Sequence, residues 1–414
     1  MIPPSRNPLR WLASICAMLA IAACTPKSTP TPGSTSDMRV AQGSQDQILR
    51  GRQIVLTHAC TDCHGGDNNP ASAAWLRGVV SPIQEFKIGP CYVTPGAQPC
   101  FTTRPKNLTP DPETGIGKYS ERQIFNALRY GLRPEETPDV EITSTTPGQG
   151  NFPATPHYLA PPMPWMAWRH MPDQDLWAVA AYLKRGLKPA NNKVVESERP
   201  PDFWASEMTA DKIGTYPMPA YPTANERVAE GPQDIIARGR FAVVSHDCQG
   251  CHGGVDPASK GYLAGVMDPQ QEFKIGPCAI QPGAQPCWTT RPKNLTPDNT
   301  TGIGRFSERQ IFNALRYGLR PEETPDVEIT STTPGQGNFP ANPHYLAVPM
   351  PWPSWRHLPD ADLWAIAAYL KRAVKPVSNK VADSEGPPDF WASEYTTAKY
   401  GTYPAAKYPT ANER

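Results

Sequence analysis

The chain has 414 residues, a formal net charge of +1 and no long run of like charge. This length allows about two or three domains, and the even charge balance argues against a nucleic-acid-binding protein. The 51 prolines predict much irregular backbone around modest helical cores, because proline interrupts the hydrogen bonding of regular structure.

The first residues have the features of an export signal. Arg6 and Arg10 form a basic start, and a short apolar stretch from Trp11 to Ala23 ends in small residues. The stretch is too short to span a bilayer comfortably, so it predicts a secretory signal peptide over residues 1–23.

The end of this signal resembles the lipobox of bacterial lipoproteins, Ile21-Ala22-Ala23-Cys24. The resemblance implies cleavage before Cys24 and lipidation of its thiol, while ordinary signal-peptide cleavage near Ala23 is the alternative. Residues 24–43 then predict a flexible tether, since their first part is rich in Ser, Thr and Pro and poor in apolar side chains. We expect a periplasm-facing lipoprotein of the bacterial cell envelope, attached to a membrane through lipid on Cys24.

A Cys-x-x-Cys-His run follows, formed by Cys60, Cys63 and His64. This spacing predicts covalent attachment of haem c, with both thiols bonded to the porphyrin and the histidine as the proximal iron ligand. A zinc site or a dithiol redox pair is the alternative, but no second ligand pair follows at short spacing. Haem is therefore the predicted cofactor.

Two further cysteines, Cys91 and Cys100, lie downstream. After the signal, lipid and haem assignments an even number of cysteines is left, which predicts disulfides in an exported protein. The Pro-Gly-Ala-Gln-Pro sequence between these two cysteines supplies a turn for a small closed loop. Free thiols or additional metal ligands are the alternative.

Three helices are predicted in this part of the chain. The first covers residues 47–57, where apolar residues recur at helical spacing. The second begins at Ser120, which forms a capping-box pattern with Gln123, and it ends at Gly131. The third follows Pro172, with acidic residues in its first turn. No convincing alternating strand pattern is present, so helix and loop are expected to dominate.

The chain then repeats itself, since residues 44–227 recur as residues 228–414. The first copy holds one residue more, between Asp67 and Asn69. The second copy repeats the candidate haem and disulfide residues: Cys248, Cys251, His252, Cys278 and Cys287. We predict a tandem duplication of one haem module with a Pro-rich arm, and therefore two covalently bound haem c groups with their irons.

Each iron needs a sixth ligand or an open position. Met163 and Met350 are the methionines that occupy the same place in both copies, each within Pro-Met-Pro-Trp, whose prolines restrict the backbone. A methionine that only fills a core gap is the alternative interpretation. Three histidine pairs also recur: His58 and His246, His157 and His344, and His170 and His357. Of these, we expect His157 and His344 to be the main competitors as ligands.

The order of motifs resembles class I cytochrome c. It comprises Cys-x-x-Cys-His, a run from Asn107 that reads Asn-Leu-Thr-Pro-Asp-x-x-Thr-Gly-Ile-Gly, then Met-Pro, then Asp-x-Asp-Leu-Trp-Ala-x-Ala-Ala-Tyr-Leu. The sequence is most similar to the haem domains of the cytochrome subunits of membrane-bound alcohol and gluconate dehydrogenases. Both copies share the resemblance, although those subunits usually carry three haem motifs.

The resemblance implies a mainly α fold of two tandem class I cytochrome c-like domains with extended Pro-rich loops and arms. It also implies that the first helix packs on the third, with Gly51 and Gly239 permitting close approach. The implied iron ligands are His64, Met163, His252 and Met350. Six polar residues are candidate partners for the haem propionates: Arg104, Asn107 and Arg129, with their copies Arg291, Asn294 and Arg316.

We predict a lipid-anchored electron carrier that moves electrons between redox protein partners outside the cytoplasm. When both axial positions are filled, no substrate binds the metal, so an electron-transfer protein is favoured over an enzyme in its own right. A cytochrome subunit of a periplasmic dehydrogenase complex is the first alternative. A two-haem peroxidase or a sulfur-compound oxidoreductase is the second, and it requires a vacant or displaceable iron ligand.

Overall fold

The computed structural model describes residues 35–80, 85–89, 91, 97–160, 162–198, 209–267, 272–279, 283–347, 349–385 and 395–414. The predicted signal peptide, the lipidation site Cys24 and the first part of the predicted tether lie outside these residues. Within the described ranges, no helix combines the length and the apolar character needed to cross a membrane.

The first copy contains six α-helices and two short strands among its described residues. In chain order they are α1 Thr35–Thr57, α2 Cys60–His64, β1 Phe86–Ile88, β2 Phe101–Thr103, α3 Glu121–Tyr130, α4 Trp165–Trp168, α5 Asp173–Ala181 and α6 Ala210–Ile213. A π-helical turn, Tyr182–Gly186, continues α5. Helix α1 begins inside the segment predicted as tether and covers the whole of the first predicted helix.

The second copy repeats this order. Its elements are α7 Gln233–Ser245, α8 Cys248–His252, β3 Phe273–Ile275, β4 Trp288–Thr290, α9 Glu308–Tyr317, α10 Trp352–Trp355, α11 Asp360–Ala368 and α12 Thr397–Tyr400. A π-helical turn, Tyr369–Ala373, continues α11, and short 3₁₀ turns occupy Pro277–Ala279 and Pro321–Glu323. Only 32% of the described residues are helical, so loops carry much of the architecture.

Four short strands, which no sequence pattern predicted, join the helices and loops that were expected to dominate. Strand β1 pairs antiparallel with β2, and β3 pairs in the same way with β4. Strands of three residues are too short to display an alternating pattern, which explains why the sequence did not reveal them. A disulfide closes the connection within each hairpin, Cys91–Cys100 in the first and Cys278–Cys287 in the second.

Local signals place the second helix as predicted. The Ser120 hydroxyl accepts a hydrogen bond from the Gln123 amide, and the Gln123 side chain accepts one from the Ser120 amide, at 3.1 and 3.0 Å. Gly131 ends α3 in the left-handed conformation, with φ of 70°. The amphipathic helix packs on α5, where the Phe125 ring stacks on Trp177 at 4.6 Å between centroids.

Helix α1 crosses α5 at unusually short range through Gly51. A Cβ atom at this position would lie 1.9 Å from the carbonyl oxygen of Ala178, so only glycine permits the crossing. Gly239 on α7 makes the same approach to Ala365 on α11. The residues around these crossings form one hydrophobic core in each copy, and the haem motif follows directly after α1 or α7.

The ends of the two Pro-rich arms exchange places between the copies. Residues 221–227 close the arm of the first copy but pack on the second, whereas residues 408–414 close the second arm and pack on the first. The end of each arm therefore belongs to one copy by sequence but packs on the core of the other. The exchanged arms thus join the two copies, and Ser44–Arg414 form one compact unit despite the duplication.

A buried carboxylate anchors each exchanged arm. The Glu413 carboxylate accepts hydrogen bonds from Arg52 Nε and from the Tyr182 hydroxyl, both at 2.6 Å. Trp75, which lies beyond the first haem motif, donates to that hydroxyl at 3.0 Å. Burial and the nearby carboxylate raise the pKa of Tyr182 well above its usual value, so the hydroxyl remains a donor. In the second copy, Glu226 takes the corresponding place beside Arg240 and Tyr369.

Candidate haem-binding cavity

Each haem motif forms a short helix, α2 or α8, whose direction depends on the residue that precedes it. Ala59 and Asp247 occupy the left-handed region, with φ of 55° and 56°, and turn the chain between the long helix and the motif. The backbone amide of Gly78 donates to the carbonyl of His64 at 2.7 Å. In the second module, the amide of Gly265 donates to the carbonyl of His252 at the same distance. Backbone bonds therefore position both motif histidines.

Hydrogen bonds to backbone carbonyls fix which ring nitrogen of each motif histidine carries the proton. Nδ1 of His64 lies 2.7 Å from the carbonyl oxygen of Lys106, and Nδ1 of His252 lies 2.7 Å from that of Lys293. A carbonyl can only accept, so each Nδ1 donates and each Nε2 keeps its lone pair. Burial lowers the pKa of both imidazoles, which favours the neutral form that binds metals. The arrangement suits a histidine that ligates iron through Nε2.

The four motif cysteines are not joined in disulfides. Burial, with a smaller contribution from Asp62, raises the pKa of the Cys60 and Cys63 thiols to about 12. Burial likewise raises the pKa of the Cys251 thiol to about 12 and that of Cys248 further. The thiols are therefore neutral groups in a low-polarity environment, as expected beside an apolar cofactor.

One continuous cavity of about 3080 Å³ connects the two motifs. All the predicted attachment residues and iron ligands line it: Cys60, Cys63, His64, Met163, Cys248, Cys251, His252 and Met350. Apolar side chains such as Leu128, Val179 and Leu183 form much of the wall in the first copy. A large apolar cavity with convergent thiols and a histidine nitrogen fits a covalently bound porphyrin.

The Pro-Met-Pro-Trp segment brings its methionine to this cavity. A turn that the Met163 amide makes with Ala160 positions the side chain against the core, and α4 begins two residues later. Met350 has the same environment in the second copy. The structure thus brings together the cysteines, the histidine and the methionine that the sequence selected in each module.

The rival histidines have other neighbours. His157 and His344 are half-exposed and contact the carboxylates of Glu136 and Glu323, and His344 also lines the cavity. His170 lies beside the Tyr216 ring, with 5.7 Å between centroids, and His357 lies at the same distance from Tyr403. Burial lowers the pKa of His170 to about 4 and also lowers that of His357.

Among the propionate candidates, Arg129 and Arg316 do not line the cavity. The Arg129 guanidinium is buried, where it donates to the carbonyls of Arg169 and Met171 and pairs with Asp173. These partners already satisfy the Arg129 guanidinium, so the structure gives no support to a propionate contact by this pair. Arg104, Asn107 and their copies do line the cavity, although Arg104 also pairs with Glu85 and Asn107 donates to Ala190.

Two contacts between the copies were missed at the sequence level. His58 and His246 stack on each other, although their positions beside the motifs made them poor ligand candidates. Asn68, which lies in the stretch where the first copy is one residue longer, accepts a hydrogen bond from Ser354 of the second copy at 2.8 Å. The sequence shows that the histidines recur and that the first copy has an extra residue. It does not show which residues these side chains contact.

Several curated relatives of the chain are named as cytochromes or cytochrome subunits. The cytochrome c subunit of a quinone-dependent alcohol dehydrogenase from Gluconacetobacter polyoxogenes is 26% identical over 78% of this chain and 55% of its own length. The gluconate 2-dehydrogenase cytochrome c subunit of Pantoea cypripedii is 27% identical over 80% and 60%. A dihaem c-type cytochrome of Cereibacter sphaeroides is 24% identical over 81% and 89%. This chain is a relative of these c-type cytochromes.

No protein-family model matches the chain. The chain spans little more than half the length of the alcohol and gluconate dehydrogenase subunits that it matches. The names of these relatives imply haem c as cofactor, in agreement with the cavity described above. The cytochrome c-like chain therefore has relatives both among subunits of dehydrogenases and among dihaem cytochromes.

Proposed function

We propose that this cytochrome c-like chain is a two-haem electron carrier of the bacterial cell envelope. One haem c is bonded to Cys60 and Cys63 and the other to Cys248 and Cys251, in two tandem modules. A lipid on Cys24 holds the mature protein at a membrane facing the periplasm, and redox proteins outside the cytoplasm are its electron donor and acceptor.

One observation carries the proposal: in each copy, the paired thiols, the histidine and the methionine line the same apolar cavity. The lone pair on Nε2 of His64 or His252 suits the proximal position, and the Met163 or Met350 thioether suits the distal one. The Glu136 and Glu323 carboxylates contact His157 and His344, and of these two histidines only His344 lines the cavity, so methionine is favoured as the distal ligand common to both copies. When bound, the haems would supply one-electron iron chemistry, while the chain sets burial and ligation.

Mass spectrometry and a redox titration of the exported, purified protein test this function. We expect the mass of the mature chain with a lipid and two haems. Both midpoint potentials should lie well above those typical of two histidine ligands, because a methionine ligand raises the potential. A chain with one haem or none, or two strongly negative potentials, contradicts the proposal.

Replacing Met163 with alanine is expected to perturb the absorption spectrum of one haem and leave the other unchanged. Met350→Ala should affect the other haem alone, because each thioether serves its own module. Met171→Leu is the matched control, since Met171 is buried in the same core but does not line the cavity. If neither alanine variant alters a spectrum, methionine is not the distal ligand.

The second candidate function is a cytochrome subunit of a periplasmic dehydrogenase complex. It is favoured by the relatives, several of which are named as cytochrome subunits of alcohol, gluconate and fructose dehydrogenases. Gentle solubilisation and purification of the native protein separates the two functions. A stoichiometric catalytic chain that co-purifies supports the subunit, whereas an isolated cytochrome that passes electrons to soluble acceptors supports the independent carrier.

A further inference from the structure

The two haem motifs approach each other at a pair of imidazoles. His58 and His246 each lie two residues before the first cysteine of their motif. Their ring centroids are 4.1 Å apart and the ring planes are inclined by 27°, so the rings are stacked in contact. Both rings line the cavity that also holds the motif cysteines. The contact between the copies thus lies only two residues before the first cysteine of each motif.

The backbone fixes both rings of this histidine stack. His58 Nδ1 donates to the carbonyl of Ile54 at 3.1 Å, and His246 Nδ1 donates to that of Ala242 at 2.8 Å. The Trp355 ring packs edge-on against His246, with 6.5 Å between centroids. Burial lowers the pKa of both imidazoles, so the two rings are neutral and stack without charge repulsion. Their Nε2 atoms are enclosed and have no hydrogen-bond partner among the described residues.

A second contact, made by Asn68, joins the two copies close to the first haem motif. Asn68 is 1% exposed, and its Oδ1 accepts hydrogen bonds from Thr61 of α2 and from Ser354 of α10, at 2.9 and 2.8 Å. Its amide nitrogen donates to Asp62, between the first two motif cysteines, at 2.6 Å. A buried network of this kind is costly to break, because its members would lose their partners without gaining water. Asn68 therefore links the first motif to the second copy through hydrogen bonds to both.

Building on the proposed two-haem function, we propose that His58 and His246 are the positioning pair through which the two haem sites exchange electrons. The stack fixes the separation of the two segments that would carry the haem thioethers, and electron exchange weakens steeply as donor and acceptor separate. In one exchange, the reduced site loses one electron and the oxidised site gains it. No bond forms or breaks and no proton moves. The two sites then share their electrons within one molecule rather than acting as two independent carriers.

Exchange NMR on half-reduced protein tests this role, because it follows the haem methyl resonances of the two sites. The part of the rate that does not depend on protein concentration is the exchange within one molecule. We expect His58→Ala/His246→Ala to lower this rate by roughly an order of magnitude relative to wild type. His170→Ala/His357→Ala is the matched control, since these histidines also recur but do not line the cavity. The control should exchange at the wild-type rate.

A ring-preserving variant separates this role from simple packing. His58→Phe/His246→Phe keeps stacked rings and should restore most of the exchange rate, whereas a purely structural role predicts a change in stability alone. If the alanine variant does not fold, His58→Leu and His246→Leu keep much of the volume without the ring and take its place. An unchanged rate in variants that retain both haems and their spectra overturns the inference. Fewer than two haems by mass overturns the proposed function as well.

Discussion

Replacing Glu413 with alanine is expected to lower the free energy of unfolding by about 3–5 kcal/mol, because it leaves a buried guanidinium without its counter-charge. Glu413 is 1% exposed and Arg52 is 8% exposed, with Arg52 Nε 2.6 Å from the carboxylate. The Tyr182 hydroxyl loses its acceptor in the same variant. Chemical denaturation followed by circular dichroism measures the loss.

Two further variants calibrate this result. Glu226→Ala removes the corresponding partner of Arg240, 2.6 Å away, and should cost a similar amount. Glu121→Ala removes a partly exposed pair with Arg185, which should cost about 1 kcal/mol or less because water screens such pairs. If Glu413→Ala is no more destabilising than Glu121→Ala, the exchanged C-terminal arm does not stabilise the first copy.

Gly51→Ala is expected to destabilise the protein by about 3 kcal/mol or more, because the added Cβ overlaps the backbone of the facing helix. The new atom would lie 1.9 Å from the oxygen of Ala178 and 2.8 Å from the Cβ of Tyr182. Helix propensity alone has the opposite sign, since alanine is favoured over glycine by roughly 1 kcal/mol within a helix. A lower free energy of unfolding therefore means that steric overlap outweighs helix propensity, and a higher one means the reverse.

The same denaturation measurement, together with the absorption of the bound haem, checks this expectation. Gly239→Ala should behave alike, because its Cβ would lie 1.9 Å from the oxygen of Ala365. Leu49→Ala on the same helix is the control; this side chain is 42% exposed and should change the unfolding free energy little. A Gly51→Ala protein that is as stable as wild type, with normal haem absorption, contradicts the close crossing.

Features made by neighbours in the chain were largely predictable. The capping box at Ser120 and the glycine that ends α3 depend on hydrogen bonds within one or two turns, so a short stretch of sequence carries the whole signal. The start of α5 after Pro172 was also a local signal, because acidic residues follow in the first turn. The cysteine pairs and their histidines were found because covalent attachment demands a fixed spacing. The methionines were found because only one pair recurs in both copies.

The hairpins and the buried arginines show where local signals end. Strands β1 and β2 are too short to carry a pattern of their own. Arg129 looks like a surface or ligand-binding residue in the sequence, yet carbonyls that lie about 40 residues away in the chain satisfy it. Neither the carbonyls nor their direction can be recognised before the chain has folded.

The sequence by itself determined the duplication, the two haem motifs, the candidate ligands and the capped helices, because each depends on residue type and short spacing. Only the tertiary structure decided how the copies meet. Glu413 reaches Arg52 from the far end of the chain, and His246 reaches His58 from the other module. Such contacts arise from packing two similar cores together, and no local hydrogen bond or periodicity records them.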